Sequence, residues 1–379
     1  LHDALPISCY YLESIIASRM GQGKAIVLFG ARQVGKTTML KNLLARRDDV
    51  LWLNGDEQDV RNLFENVSST MLKTIIGKKS VVVIDEAQRI PDIGIGIKLI
   101  TDNIPDVQVL ATGSSSFDLS NKINEPLTGR KMEYWMYPLS FGELVEHHGL
   151  LEEKRLLAHR LIYGSYPDVI NNVGDERMIL TELANSYLYK DILMFDKIKK
   201  SDKLVKLLQA LAFQMGSEVS YNELAQTCGL DPKTVESYVT LLEQSYIIFR
   251  LGSFSRNLRN ELKFARKIYF WDCGIRNAVI GNYQMLESRL DTGALFENYM
   301  VAERLKKLRY EKSYAKSYFW RSKLKQEIDY IEEMDGQLAA VEFKWNPNRK
   351  AAMPLSFSRS YPDVDFKVVT RDNFETFLL

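Results

Sequence analysis

The stretch Ala25-Ile26-Val27-Leu28-Phe29-Gly30-Ala31-Arg32-Gln33-Val34-Gly35-Lys36-Thr37-Thr38 decides how the N-terminal third of this 379-residue chain folds. Five apolar residues without alternation read as a strand covered on both faces, and Thr37 to Arg46 follows with helical spacing. Between the two, Gly30 to Thr37 satisfies G-x-x-x-x-G-K-[ST] in full, with the strand before and the helix after that the motif requires. The glycines let the backbone curl so that N–H groups of Gly30, Ala31, Gln33, Val34 and Gly35 can surround phosphate oxygens at the positive end of the helix. Lys36 would reach the β- and γ-phosphates, Thr37 would offer its hydroxyl to Mg²⁺, and Thr38 extends the binding set. Arg32, inside the loop, is a weaker candidate for a charge contact.

Working outward, Val50 to Leu53, Ser80 to Ile84 and Val107 to Thr112 are three more apolar runs, separated by helix-length segments. Such a pattern predicts a parallel sheet with helices on both faces. The run ending at Ile84 is followed by Asp85-Glu86. Asp85 would hold Mg²⁺ through water and Glu86 would polarise an attacking water, which makes hydrolysis a better reading than binding alone. Thr112 and Ser114 stand at the end of a neighbouring strand, where such sheets present groups to their ligands. Arg130, after Gly129, is a weak candidate for an arginine finger in cis or in trans. Asn121-Lys122-Ile123-Asn124 ends in Asn where a guanine reader needs a carboxylate, so ATP is preferred over GTP.

On these residues, with Ala87-Gln88 after Asp85-Glu86 and with Tyr137-Pro138-Leu139-Ser140-Phe141, the stretch from Tyr10 to Glu146 resembles a prokaryotic AAA-type ATPase of the archaeal ATPase-like group. The resemblance implies ATP and Mg²⁺ as ligands and ATP hydrolysis as activity. In that group a C-terminal domain of unknown function commonly follows, and Tyr187 to Ile192 and Leu295-Phe296-Glu297-Asn298 resemble it.

From Leu151 helical patterns dominate. Ser220 to Leu230, a short glycine turn and a second helix starting at Asp231-Pro232 read as helix-turn-helix, and two strands after it could form a wing. Seven basic and two acidic residues fall between Arg250 and Arg276, interleaved with aromatics, which suggests a local patch for DNA phosphates. Against DNA stand Glu236 and Glu243 on the second helix, so a protein partner is the competing reading.

Further on, Asp329 in Glu327 to Ile331 and the pair Glu342 and Lys344 in Val341 to Trp345 resemble the D…E-x-K constellation of PD-(D/E)xK nucleases. Period-two alternation puts Glu342 and Lys344 on one strand face. Asp329 and Glu342 would hold a metal ion, with Glu297 as the extra helical carboxylate, and Lys344 would orient water. No Pro precedes Asp329.

The expected architecture is α/β: a P-loop parallel-sheet domain over 10–150, a helical linker with a winged helix-turn-helix over 151–285, and a small nuclease-like α/β domain over 286–379. Fifty basic against 49 acidic residues exclude a polycation. Three scattered cysteines, Cys9, Cys228 and Cys273, exclude a disulfide framework, and with no long apolar run the expected location is cytoplasmic. Residues 1–8 have no basic segment of the kind that opens a signal peptide, so no function is placed before Cys9. His147, His148 and His159 lack ligand partners at metal spacing and read as surface helix residues.

Overall fold

The computed structural model describes residues 10–114, 123, 126–186, 201–255 and 266–379. Two compact units emerge. The first takes the described residues up to Pro138 with Gln244–Tyr246; the second takes Leu139–Glu243 and Ile247–Leu379.

The first unit is built on five strands, β1 (Ala25–Gly30), β2 (Val50–Asn54), β3 (Val81–Asp85), β4 (Gln108–Gly113) and β5 (Lys131–Met136), in the order β2-β3-β4-β1-β5. Every pairing is parallel. β1 and β4 are buried along their whole length, as is β3 up to Ile84, which is why these runs carry no polar alternation. The intervening helices include Lys36–Leu43 after β1, Ser69–Ile76 before β3 and Ile93–Asn103 before β4. Parallel order and register bring the C-terminal ends of β1, β3 and β4 to one edge of the sheet.

The second unit holds a seven-stranded sheet of β6 (Glu218–Val219), β7 (Ile248–Ser253), β8 (Arg266–Phe270), β9 (Lys316–Arg321), β10 (Glu327–Met334), β11 (Gln337–Lys344) and β12 (Asp365–Thr370). Its order is β12-β11-β10-β9-β7-β8-β6. The parallel pairing of β7 with β9 joins strands of 151–285 to those of 286–379 in one sheet, and both stretches lie in the second compact unit. Residues 139–150 also cluster with this unit rather than with the sheet of β1: the Phe141 N–H donates to Glu303 (2.6 Å) and the Leu139 N–H to the Ser165 carbonyl (2.9 Å). The helices Tyr221–Cys228 and Pro232–Gln244 stand as expected, joined by Gly229 in a left-handed conformation, with Asp231 capping the second through the Thr234 N–H (2.9 Å). Ile328, Ile331, Ala340, Phe357 and Tyr361 form a buried cluster under β10 and β11.

Candidate functional site

The loop between β1 and the helix Lys36–Leu43 is shaped by close approach. Gly35 has φ +93°, and a Cβ there would lie 2.2 Å from the Tyr10 hydroxyl; a Cβ on Gly30 would lie 2.2 Å from the Met136 carbonyl oxygen. Only glycine fits either place. Ala31 and Val34 are fully buried, which anchors the loop and leaves its backbone as the recognition surface; Gln33 and Thr38 are exposed. The Lys36 side chain is buried along the loop, its Nζ donating to the carbonyls of Gly30 (2.8 Å) and Ala31 (2.6 Å).

The ends of β3 and β4 meet this loop through a carboxylate and two hydroxyls. Thr37 Oγ1 donates to Asp85 Oδ2 (2.8 Å), and Thr112 Oγ1 donates to Asp85 Oδ1. Thr112 Oγ1 in turn accepts from the Glu86 N–H (3.1 Å). Glu86 itself is left-handed (φ 49°, ψ 41°), an uncommon conformation for a residue with a side chain. Ser114, buried just beyond β4, accepts from Gln88 Nε2 (2.9 Å), which also donates to Glu86 Oε2 (2.5 Å). The residues singled out in the sequence at Gly30–Thr37, Asp85, Glu86, Thr112 and Ser114 thus share one sheet edge. A hydroxyl and a carboxylate within hydrogen-bond reach of each other are an all-oxygen set of the kind that suits a hard divalent cation, so Thr37 and Asp85 fit Mg²⁺.

Arg130 lies elsewhere. Its carbonyl accepts from the Ala25 N–H (2.9 Å) at the start of β1, and its guanidinium pairs with Asp102 (2.6 Å). β1 separates it from Gly30 by about 17 Å at roughly 3.3 Å per residue. An in-cis finger is therefore corrected by the topology. A cleft of about 240 Å³, lined by Lys24, Arg47, Ser80, Asp106 and Gln108 among others, opens at the edge where the strands begin and includes none of the candidate residues.

In the second unit the candidate carboxylates come together around Lys267, a member of the expected basic patch. Asn298 clamps the Phe270 backbone, accepting from its N–H (2.7 Å) and donating to its carbonyl (3.0 Å). This docks the helix Thr292–Tyr310 on β8 and sets Glu297 against Lys267 Nζ (3.0 Å) and the Tyr269 hydroxyl (2.7 Å). Lys267, 2% exposed, also pairs with Glu327. Asp329 accepts from the Phe343 N–H (2.9 Å) and Glu342 from Lys344 Nζ (2.6 Å). Burial pushes the Asp329 carboxyl up to about 8, with Glu297 and Glu342 adding to it and Lys267 pulling the other way. Burial alone would lower the Lys267 ammonium, but Glu297, Glu327 and Asp329 together raise it. Among the described residues no group of three or more His, Cys, Asp or Glu is arranged to hold a metal ion. The expected ligand set of Glu297, Asp329 and Glu342 is accordingly engaged by Lys267, Tyr269, Lys344 and a backbone N–H.

Of the four described members of the expected basic patch, three, Arg250, Lys267 and Arg276, are engaged within the fold. Arg250 pairs with Glu243, and Arg276 is buried against Asp291 (2.6 Å) and the Ala212 carbonyl (2.9 Å). Arg256, Arg259 and Lys263 lie outside the described residues, as do Tyr187 to Ile192 and most of Asn121–Asn124. His148 and His159 are half-buried beside Glu153 (3.3 Å) and Glu176 (3.2 Å), rather than surface residues. Cys228 and Cys273 are buried free thiols. No helix among the described residues is long and apolar enough to cross a membrane.

Sequence reasoning gave Gln88 and Lys267 no role in either site. A lone cation in the otherwise apolar run Lys267 to Trp271 is the signal that would have found Lys267, because a buried charge needs a partner.

Comparison with known proteins agrees with the first unit's geometry. Residues 22–145 match the family model described as an AAA domain, and residues 154–285 and 292–376 each match a model described as a domain of unknown function. An uncharacterized protein of Methanocaldococcus jannaschii is 23% identical over 254 residues, 61% of this chain and 57% of its own. The match thus spans little more than half of that relative's length. An uncharacterized protein of Mycobacterium tuberculosis is 24% identical over 351 residues, 89% of this chain and 75% of its own. Among solved structures, a Walker-type ATPase of Pyrococcus abyssi aligns with TM-score 0.47 and 14% identity, covering 71% of this chain and 94% of that one. The family match over residues 22–145, together with the loop and the strand-end carboxylates it contains, identifies an AAA-type ATPase domain in the N-terminal part of the chain.

Proposed function

We propose that this protein is a Mg²⁺-dependent ATP hydrolase whose nucleotide state is read by its C-terminal unit. The observation that carries this reading is the hydrogen-bonded run from Thr37 through Asp85 and Thr112 to the Glu86 backbone, beside a complete phosphate-binding loop. The loop N–H groups and Lys36 bind the phosphates, Thr37 and Asp85 hold the cation, and Glu86 accepts a proton from the attacking water. Thr112 and Ser114 flank the position of the γ-phosphate. Mg²⁺, when bound, neutralises charge on the phosphate oxygens.

For the second unit, the reading is a winged-helix and nuclease-like part that binds and switches without cutting. What supports this over an ATP-dependent DNA nuclease is the engagement of Glu297 and Glu327 by Lys267 and of Glu342 by Lys344. The pairing of Arg250 and Arg276 with internal carboxylates favours a protein partner over DNA. The test is one assay matrix of phosphate release and DNA integrity, with and without Mg²⁺, ATP and DNA. Wild type should release phosphate and leave DNA intact, and Lys36→Ala should release none. Nicking that Asp329→Ala abolishes would establish the nuclease instead, and an ATPase rate raised by DNA would restore DNA as partner.

A further inference from the structure

Gln88 carries an arrangement that the hydrolytic reading leaves unused. The backbone of Glu86 is held from two sides: its N–H donates to Thr112 Oγ1 (3.1 Å), and a Cβ at Gly55 would come within 2.5 Å of its carbonyl oxygen. Its side chain, with three rotatable bonds, is not fixed by those contacts. The short helical turn Ala87–Arg89 begins at once after it and brings Gln88 back over the strand ends, 9% exposed.

The Gln88 amide nitrogen has two hydrogens. One goes to Glu86 Oε2 (2.5 Å) and the other to Ser114 Oγ (2.9 Å). Turning the amide over would set its oxygen against an ionised carboxylate, acceptor to acceptor, so the charge on Glu86 fixes the amide's orientation. A charge-assisted bond of this kind restricts the carboxylate's rotamers. It takes Oε2 and leaves Oε1 as the atom to accept a proton. The same amide ties that carboxylate to Ser114, which follows β4 directly.

We propose that Gln88 is a positioning residue for hydrolysis: it aims the Glu86 carboxylate and links it to Ser114 at the end of β4. The inference rests on the ATPase reading and goes beyond it by assigning what orients the base. A misplacement of a reacting group by about 1 Å costs on the order of 100-fold in rate.

The test uses the full chain and three variants, Gln88→Met, Glu86→Ala and the double variant Glu86→Ala with Gln88→Met. Gln88→Met fills the same buried space without a donor. It should lower kcat by about 10- to 100-fold. Its KM and its affinity for a non-hydrolysable ATP analogue should stay within about twofold of wild type, a bound chosen to separate positioning from uniform binding. Added to Glu86→Ala it should cost nothing more, because it acts through that carboxylate. A Gln88→Met kcat equal to wild type overturns the assignment, as does an equal loss in the Glu86→Ala background or a collapse of nucleotide affinity. A wild type that binds ATP but releases no phosphate removes the hydrolytic reading and this inference with it; a hydrolysing wild type matched by Gln88→Met removes this inference alone.

Discussion

Replacing Lys267 with Met removes one ammonium and keeps an unbranched side chain of similar reach. In the native protein Lys267 Nζ lies 3.0 Å from Glu297 Oε1, pairs with Glu327 as well, and sits 5.4 Å from the centre of the Phe319 ring. Deleting one partner of a buried ion pair costs about 3–5 kcal/mol, since the other charge is left uncompensated. The lower end applies here. Glu297 and Glu327 keep 16% and 30% of their side-chain surface in contact with solvent, and a methionine retains the packing on Phe319. Without the ammonium, the negative charge of Glu297, Glu327, Asp329 and Glu342 stands uncompensated, a repulsion greatest where carboxylates are ionised, so the loss grows as pH rises. The expected loss is therefore about 3 kcal/mol at pH 8 and clearly less at pH 5. With a urea slope of about 2 kcal/mol per molar, that moves the midpoint by about 1.5 M. The assay is a urea titration at each pH, read by pulsed hydrogen exchange of peptides covering β8 and β10, which isolates this sheet from the rest of the chain. A midpoint unchanged at pH 8, or lowered equally at both pH values, would refute the view that Lys267 neutralises the carboxylates.

Two further outcomes follow from the same structure. Asp329 has an ordinary value of 3.8 and about 8 in the fold, so the folded state holds its proton more tightly; the associated stability is full below about pH 4 and is lost as pH rises through 8. Asp329→Asn stays neutral and can still accept from the Phe343 N–H, so its urea midpoint should decline less between pH 5 and pH 8; an identical decline would show that another group titrates. Arg130→Ala should leave phosphate release by dilute protein within about twofold of wild type, because this side chain pairs with Asp102 at the far edge of the sheet. A tenfold fall in dilute protein would contradict the topology.

The first unit was legible because its signals are local. The phosphate loop is contiguous, its strand is apolar on both faces, and Asp85-Glu86 and Thr112 to Ser114 each close an apolar run that the parallel sheet then aligns. β5 escaped this reading. Lys131-Met132-Glu133-Tyr134-Trp135-Met136 is an edge strand with a single neighbour, and Lys131 and Glu133, paired on one face at 2.5 Å, break the continuous apolar pattern of its partners. The helix boundary at Pro232 was equally local, set by Asp231 and its bond to the Thr234 N–H.

The carboxylate cluster is a different case, because its meaning depends on residues far apart in the chain. Period two does put Glu342 and Lys344 on one face of β11, and there they bond each other at 2.6 Å. That spacing is satisfied equally by a metal ligand with its helper and by an ordinary ion pair. The choice turns on whether another cation reaches the carboxylates, and Lys267 arrives from β8, thirty positions before Glu297 and sixty before Glu327. A count of formal charge between Arg250 and Arg276 treats Lys267 as available to phosphate. Burial reverses its role, because a desolvated ammonium persists only where carboxylates surround it. Three of the seven basic residues that lent weight to DNA binding, Arg250, Lys267 and Arg276, are thereby turned inward to Glu243, Glu297 with Glu327, and Asp291. What a linear reading can extract is the conflict itself: a cation in an apolar strand requires an internal anion, and acidic residues placed on a facing helix and strand are where it must be sought.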